Sequence, residues 1–173
     1  MTNASVIKHW AQREAETYRN GADRPLGGYL AAMSVYTGAV TGLTLLGRRL
    51  GFKAPQQITP WDVALFGLAT HRMTRTITKD AVTSPVRAPF TTYDGVQGPG
   101  ELHEEVRTDS HLRHVVGELL ACPFCLAQWV ATAFGAGLVF APRAARLAAA
   151  TFASVAVSDF LQFGYSALQS KAE

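Results

Sequence analysis

Cys122 and Cys125, the only two cysteines of the chain, stand three residues apart in Cys122-Pro123-Phe124-Cys125. Two chemistries are open to thiols at that spacing. In a thiol–disulfide pair the first cysteine caps a helix that begins at the proline, and the helix dipole favours its thiolate. In a metal site the two thiolates are joined by imidazoles. His111-x-x-His114 lies just upstream, so His111, His114, Cys122 and Cys125 form a candidate tetrahedral set for zinc or iron. Each chemistry meets an obstacle. The βαβ pattern that accompanies thioredoxin-like motifs is missing. A straight helix would separate the His pair from the Cys pair by about 12 Å, so the metal site needs a break near Pro123. Glu118 could replace one imidazole there. A third alternative is structural: the cysteines pack as small apolar residues, while Pro123 kinks one helix or starts another.

Charged residues supply the second candidate group. Asp159 is the single charge between Leu147 and Leu168, and an ionisable group in an apolar helix needs a partner. Folding the last two helices about Pro142 brings Asp159 level with Leu126. A helix descending from Trp61 brings Arg72 and Arg75 to a similar depth. The expectation is an Arg72–Asp159 or Arg75–Asp159 ion pair that fixes helix register. Arg72, Arg75 and Lys79 recur at i, i+3 and i+7, one face of a helix. With Arg87 they make a candidate contact for anionic lipid headgroups or a partner, and Asp80 is placed to neutralise one of them.

The elements that must position these groups are helical. Residues 1–24 read as an N-terminal amphipathic helix with Val6, Trp10 and Tyr18 on its apolar side, ended by Asn20-Gly21. Residues 25–173 then carry apolar segments at about 27–47, 61–75, 119–141 and 145–168. The first is uncharged across 21 residues, enough for about 30 Å of helix. It holds Gly38-x-x-x-Gly42, a spacing that lets helices approach closely. Thr59-Pro60-Trp61-Asp62 is a capped helix start. Pro85 and Pro89 bar a continuous helix over 84–90, and residues 81–110 read as a long polar loop. Neither an internal repeat nor a strand pattern stands out. The expected fold is all-α: a polytopic membrane bundle of about four apolar helices.

Composition narrows the class. Two cysteines exclude a disulfide-stapled secreted domain. Lys8, Arg13 and Glu14 interrupt what would be the apolar core of a cleavable signal. A formal charge of +3 with no basic motif argues against nucleic acid. The distribution of Lys and Arg orients the bundle. Four spans place 11 of the 16 inside and 5 outside with both termini cytoplasmic; three spans give 10 against 6, with the N-terminus outside. Either way residues 81–110 face the cytoplasm.

Arg72-x-x-Arg75-x-x-x-Lys79-Asp80, Ser84-Pro85-x-Arg87-Ala88-Pro89-Phe90 and Gly117-Glu118-Leu119-Leu120-Ala121-Cys122-Pro123-Phe124-Cys125-Leu126-x-x-Trp129 together resemble a bacterial family of small membrane proteins, domain of unknown function 1360, which has sporulation-associated members. The resemblance spans roughly residues 60–168. Ala127 stands where the family commonly has Gly. It implies a protein of the bacterial cytoplasmic membrane and brings no activity, cofactor or catalytic residue with it.

No residue set specifies a reaction. The expectation is therefore a non-enzymatic membrane protein that contacts lipids and anchors or assembles a protein partner, or a second copy of itself. The alternatives are a membrane thiol or metal protein centred on Cys122 and Cys125, and a soluble all-α module within a larger complex.

Overall fold

The computed structural model describes residues 3–172; Met1 and Thr2, the start of the expected N-terminal helix, lie outside the described residues. Helix α1 (Asn3–Arg19) ends where Asn20 and Gly21 turn left-handed, with φ of 43° and 82°. Helix α2 (Leu26–Arg49) follows, then α3 (Pro60–Thr78). The start of α3 is a reciprocal capping box. Asp62 N–H donates to Thr59 Oγ1 and Thr59 N–H donates to Asp62 Oδ2, each at 3.1 Å. Helix α4 is one turn (Ser84–Arg87); strands β1 (Thr91–Gly98) and β2 (Glu101–Val106) come next. Helices α5 (His111–Ala121), α6 (Pro123–Phe140) and α7 (Pro142–Ala172) complete the chain.

Pro123 starts a new helix instead of kinking one. Cys122 takes an extended backbone (φ −109°, ψ 108°), and its Sγ accepts the Cys125 N–H at 3.3 Å, filling the role of a cap. Thus the uncharged 119–141 segment is the end of α5 plus all of α6.

The core is the three-helix contact of α3, α6 and α7. Leu126, Val130, Phe134 and Leu138 make a buried stripe at four-residue spacing on α6. Ala145, Ala149, Ala153 and Ala156 make a matching stripe of small residues on α7. These alanines let α7 lie close against α3, where Ala69 is fully buried. Phe66 of α3 packs on Phe134 of α6 with ring centroids 5.5 Å apart.

Side-chain pairs also fix the helix directions. Asp62 and Arg72 of α3 meet Arg146 and Asp159 of α7 in that order, so α3 and α7 run parallel. On α2, Tyr29 reaches Glu118, Tyr36 reaches Gln128 and Thr132, and Gly47 abuts Phe140, so α2 runs parallel to α6. Among the described residues three helices, α2, α6 and α7, are long and apolar enough to cross a bilayer. Helix α3 has the length, but its last two turns are polar.

Two expectations require correction. The all-α reading fails within residues 81–110, where a 3₁₀ turn (Ala81–Thr83), α4 and an antiparallel β1–β2 hairpin replace the loop. Both strands are polar and bulged, so no alternating apolar face marks them. The hairpin is closed by Pro99-Gly100, with Gly100 at φ 75° as the third residue of a tight turn. The second correction concerns Gly38 and Gly42: a side chain at either position would meet nothing within 4 Å, so this pair packs on no other helix of the chain. The tight approaches fall at Gly28, whose added Cβ would sit 2.4 Å from Val115, at Gly117, and at Gly137, where it would sit 2.9 Å from Ala145.

Candidate functional site

The His–Cys set disperses. His111 is exposed at the start of α5, whereas His114 is buried, with Nε2 3.4 Å from Glu118 and Nδ1 3.8 Å from Asp23. Among the described residues no group of three or more His, Cys, Asp or Glu converges as a metal site would require. The break at Cys122, which the metal reading needed, is present, but it does not gather the thiols and imidazoles into such a group. Cys122 and Cys125 are free thiols, the first partly buried and the second exposed. Glu118, beside His114, also accepts from Arg24 Nη1 at 2.9 Å and from Tyr29 Oη at 2.6 Å, tying α2 to α5.

The four basic residues proposed for headgroups separate into different environments. Arg87 is fully buried, and its five N–H groups are all used. Nε and Nη2 grip Glu104 at 2.7 and 2.9 Å. Nη1 donates to the Ile77 carbonyl at 2.8 Å and to Thr83 Oγ1 at 2.7 Å, and Nη2 also donates to the Asp80 carbonyl at 3.1 Å. No donor is left for a lipid or partner, so the contact role expected of Arg87 is withdrawn. It ties the end of α3 to the hairpin. Glu104 is only 7% exposed. Burial alone would raise its pKa, but the hydrogen bonds from Arg87 and Thr91 and the Arg87 charge outweigh it and hold the carboxyl below its ordinary value. Lys79 closes α3 and its carbonyl accepts Leu102 N–H at 2.8 Å, a second tie to the hairpin.

Arg72 and Arg75 line a cleft of about 960 Å³ between α3, α7 and the hairpin turn. Arg72 holds Asp80 with two bonds of 3.2 and 3.0 Å, as its sequence neighbourhood suggested. Its Nε lies 3.3 Å from Asp159 Oδ2 but is not aligned to donate, and so is buried without a hydrogen bond. Arg75 does not reach Asp159; its Nε and Nη2 hold Glu101 of the hairpin, with Nε–Oε1 at 2.8 Å. His71 stacks on Phe160 at the rim, centroids 5.8 Å apart. Phe163, Gln162 and Gly98 to Gly100 complete the wall. The hairpin carboxylates Glu101 and Glu104 were the missed members of both clusters. The signal available for them was Pro99-Gly100, which folds β2 back under α3.

A bundle of apolar helices with an arginine-tied hairpin packed beneath them defines a helical protein with the dimensions of a membrane module. The chain matches the family model described as protein of unknown function (DUF1360) over residues 65–165, more than half its length, and belongs to that family. The matched stretch contains the hairpin, Cys122-Pro123-Phe124-Cys125 and all of the cleft lining but Ser166. No curated protein and no solved structure matches the chain.

Proposed function

We propose that this chain is a non-enzymatic protein of the bacterial cytoplasmic membrane that crosses it four times, keeps both termini cytoplasmic, and presents the folded 81–110 segment to a protein partner. Helix direction carries the reading. Since α2 and α6 run the same way, a chain that crosses in both must return between them. Only α3, with 19 residues and a length of about 28 Å, can make that return across an apolar core about 30 Å thick. A three-span arrangement with α3 lying on the surface would make α2 and α6 antiparallel. The basic residues agree: Arg48, Arg49, Arg143 and Arg146 gather at one end, while the larger basic share falls at the other.

The partner is supported by what the hairpin region exposes. Val82, Val86, Tyr93 and Val96 are all more than half exposed on a segment that Arg87 holds rigid from within. The test uses a chain with both native cysteines replaced by Ser and single cysteines introduced at Gln56 or Val96. A membrane-impermeant maleimide should label Gln56→Cys in intact cells and Val96→Cys only after lysis. Carbonate washing should leave the protein in the membrane pellet. Labelling of Val96→Cys in intact cells, or release by carbonate, overturns the reading.

A further inference from the structure

The charges of the α3–α7 cleft form an unusual inventory. Arg72–Asp80 and Arg75–Glu101 are closed bidentate pairs, and Asp159 is a third carboxylate against two guanidiniums. Two of these groups remain available. Arg75 is 38% exposed, and its Nη1, with two N–H groups, is engaged by no other described residue. Asp159 is 39% exposed; its Oδ1 has no partner among the described residues and its Oδ2 accepts no aligned hydrogen bond. The cleft therefore offers one free cationic donor and one free anionic acceptor, flanked by the faces of Phe160, Phe163 and His71.

From this complementarity we infer that the cleft binds a zwitterionic phosphate–ammonium group, the phosphoethanolamine head of a phospholipid, with the phosphate on Arg75 and the ammonium on Asp159. The inference rests on the membrane reading above. A simple anion would enter a cleft whose charges sum to one net negative, opposed by Asp80, Glu101 and Asp159. A simple cation would leave the Arg75 Nη1 donors unpaired beside aromatic carbon. A zwitterion satisfies both ends. The primary ammonium also separates ethanolamine from choline, because a trimethylammonium cannot donate to Asp159 although aromatic faces attract either cation.

Position favours a lipid source. Asp159 lies 13 residues beyond Arg146 along α7, and Arg75 lies 13 beyond Asp62 along α3, roughly 20 Å in each case. In an apolar core about 30 Å thick both groups then lie in its cytoplasmic third, in a cleft whose 38% and 39% exposed side chains are open to water from the cytoplasmic side. The cleft continues from them toward that edge beneath Pro99 and Gly100. A headgroup of the inner leaflet reaches this site by entering between α7 and the hairpin turn.

The experiment equilibrates the purified full chain with equal amounts of phosphatidylethanolamine, phosphatidylcholine and phosphatidylglycerol, and counts retained lipids by native mass spectrometry. Phosphatidylethanolamine should be favoured over the other two by about tenfold. Asp159→Asn should abolish the preference over phosphatidylglycerol, and Arg75→Gln should weaken retention of all three. Soluble phosphoethanolamine that displaces the selectively held lipid supports recognition of the zwitterion itself. Failure to displace a selectively held lipid supports a lipid source in which the tails contribute. Preference for phosphatidylglycerol, or equal retention of the three lipids by the wild-type chain, overturns the inference even if the variants fail to fold. A carbonate-resistant protein with no lipid preference would sink this inference alone and leave the membrane reading standing.

Discussion

Arg75 and Arg87 each hold a glutamate of strand β2 through a two-pronged contact, and the surroundings make the two pairs different objects. Arg87 and Glu104 are 0% and 7% exposed, and every donor of the guanidinium has an acceptor inside the protein. Arg75 and Glu101 are 38% and 15% exposed, and one nitrogen of the guanidinium is unused. A buried pair gains nothing when formed unless all its hydrogen bonds are met, and losing one partner strands the other charge. A half-exposed pair is screened by water and contributes little to stability, but its spare donor can meet a ligand. The same residue types therefore serve as a structural knot in one place and as a binding wall in the other.

The comparison breaks most visibly at Arg87. Arg87→Ala should destabilise the hairpin by about 3–5 kcal/mol, because Glu104 is left charged and buried while the Ile77 and Asp80 carbonyls lose their donor. Proteolysis within residues 88–107 should then outpace cleavage elsewhere. Arg87→Lys should rescue little of it, since an ammonium offers three donors where five are used. Wild-type resistance in Arg87→Ala would remove the distinction drawn between the two arginines.

Acid should attack the same knot. The Glu104 carboxyl is held below its ordinary value in the folded chain, so its contribution is fully present above the unfolded pKa of about 4.3. It is lost as pH falls from there through the lower folded pKa. Amide protection factors in β1 and β2, taken relative to the intrinsic exchange rate at each pH, should fall over that window, whereas they should not change between pH 6 and 8. Replacing Glu104 by Gln should flatten the acid dependence while lowering stability at neutral pH.

What the sequence made legible follows the same division. The helix start at Thr59 was readable because caps are local chemistry, and the same chemistry narrowed Pro123 to a kink or a new start. Asp159 was readable as needing an arginine because a single charge in an apolar run has few ways to be satisfied. The hairpin was not readable. Its strands present no apolar face, and their stability comes from Arg87, which looks in sequence like any other basic residue near a proline. The alanine stripe of α7 was equally silent: Ala145, Ala149, Ala153 and Ala156 become a packing surface only against α3. Of the two arginines offered for Asp159, Arg72 is the one beside it, and Arg75 holds Glu101 instead, which reaches it only through the unforeseen Pro99-Gly100 turn.

Gly117 gives the next smaller effect and tests whether the knot depends on close backbone contact. A Cβ there would lie 2.6 Å from Val106 Cγ1 and 2.8 Å from the Phe90 carbonyl oxygen. The oxygen is backbone and cannot swing aside. Gly117→Ala should therefore push α5 off the hairpin and cost about 1–3 kcal/mol in thermal or chemical unfolding. Its lipid selectivity should persist, because the cleft is walled by α3, α7 and the opposite end of the hairpin.

The smallest effect on stability belongs to Arg75→Ala, and it sharpens the comparison most. Both arginines lose a bidentate glutamate contact on truncation, so an account based on counting hydrogen bonds would rank the two substitutions similarly. Exposure argues otherwise. Water can solvate Glu101 once the guanidinium is gone, and the half-exposed pair should contribute no more than about 1 kcal/mol. Denaturant midpoints of Arg75→Ala and wild type should nearly coincide, whereas the midpoint of Arg87→Ala should fall well below both. If Arg75→Ala were as damaging as Arg87→Ala, the cleft would be part of the knot and its open donor would be a packing feature. Stability retained together with weakened phospholipid retention would mark Arg75 as belonging to the binding wall.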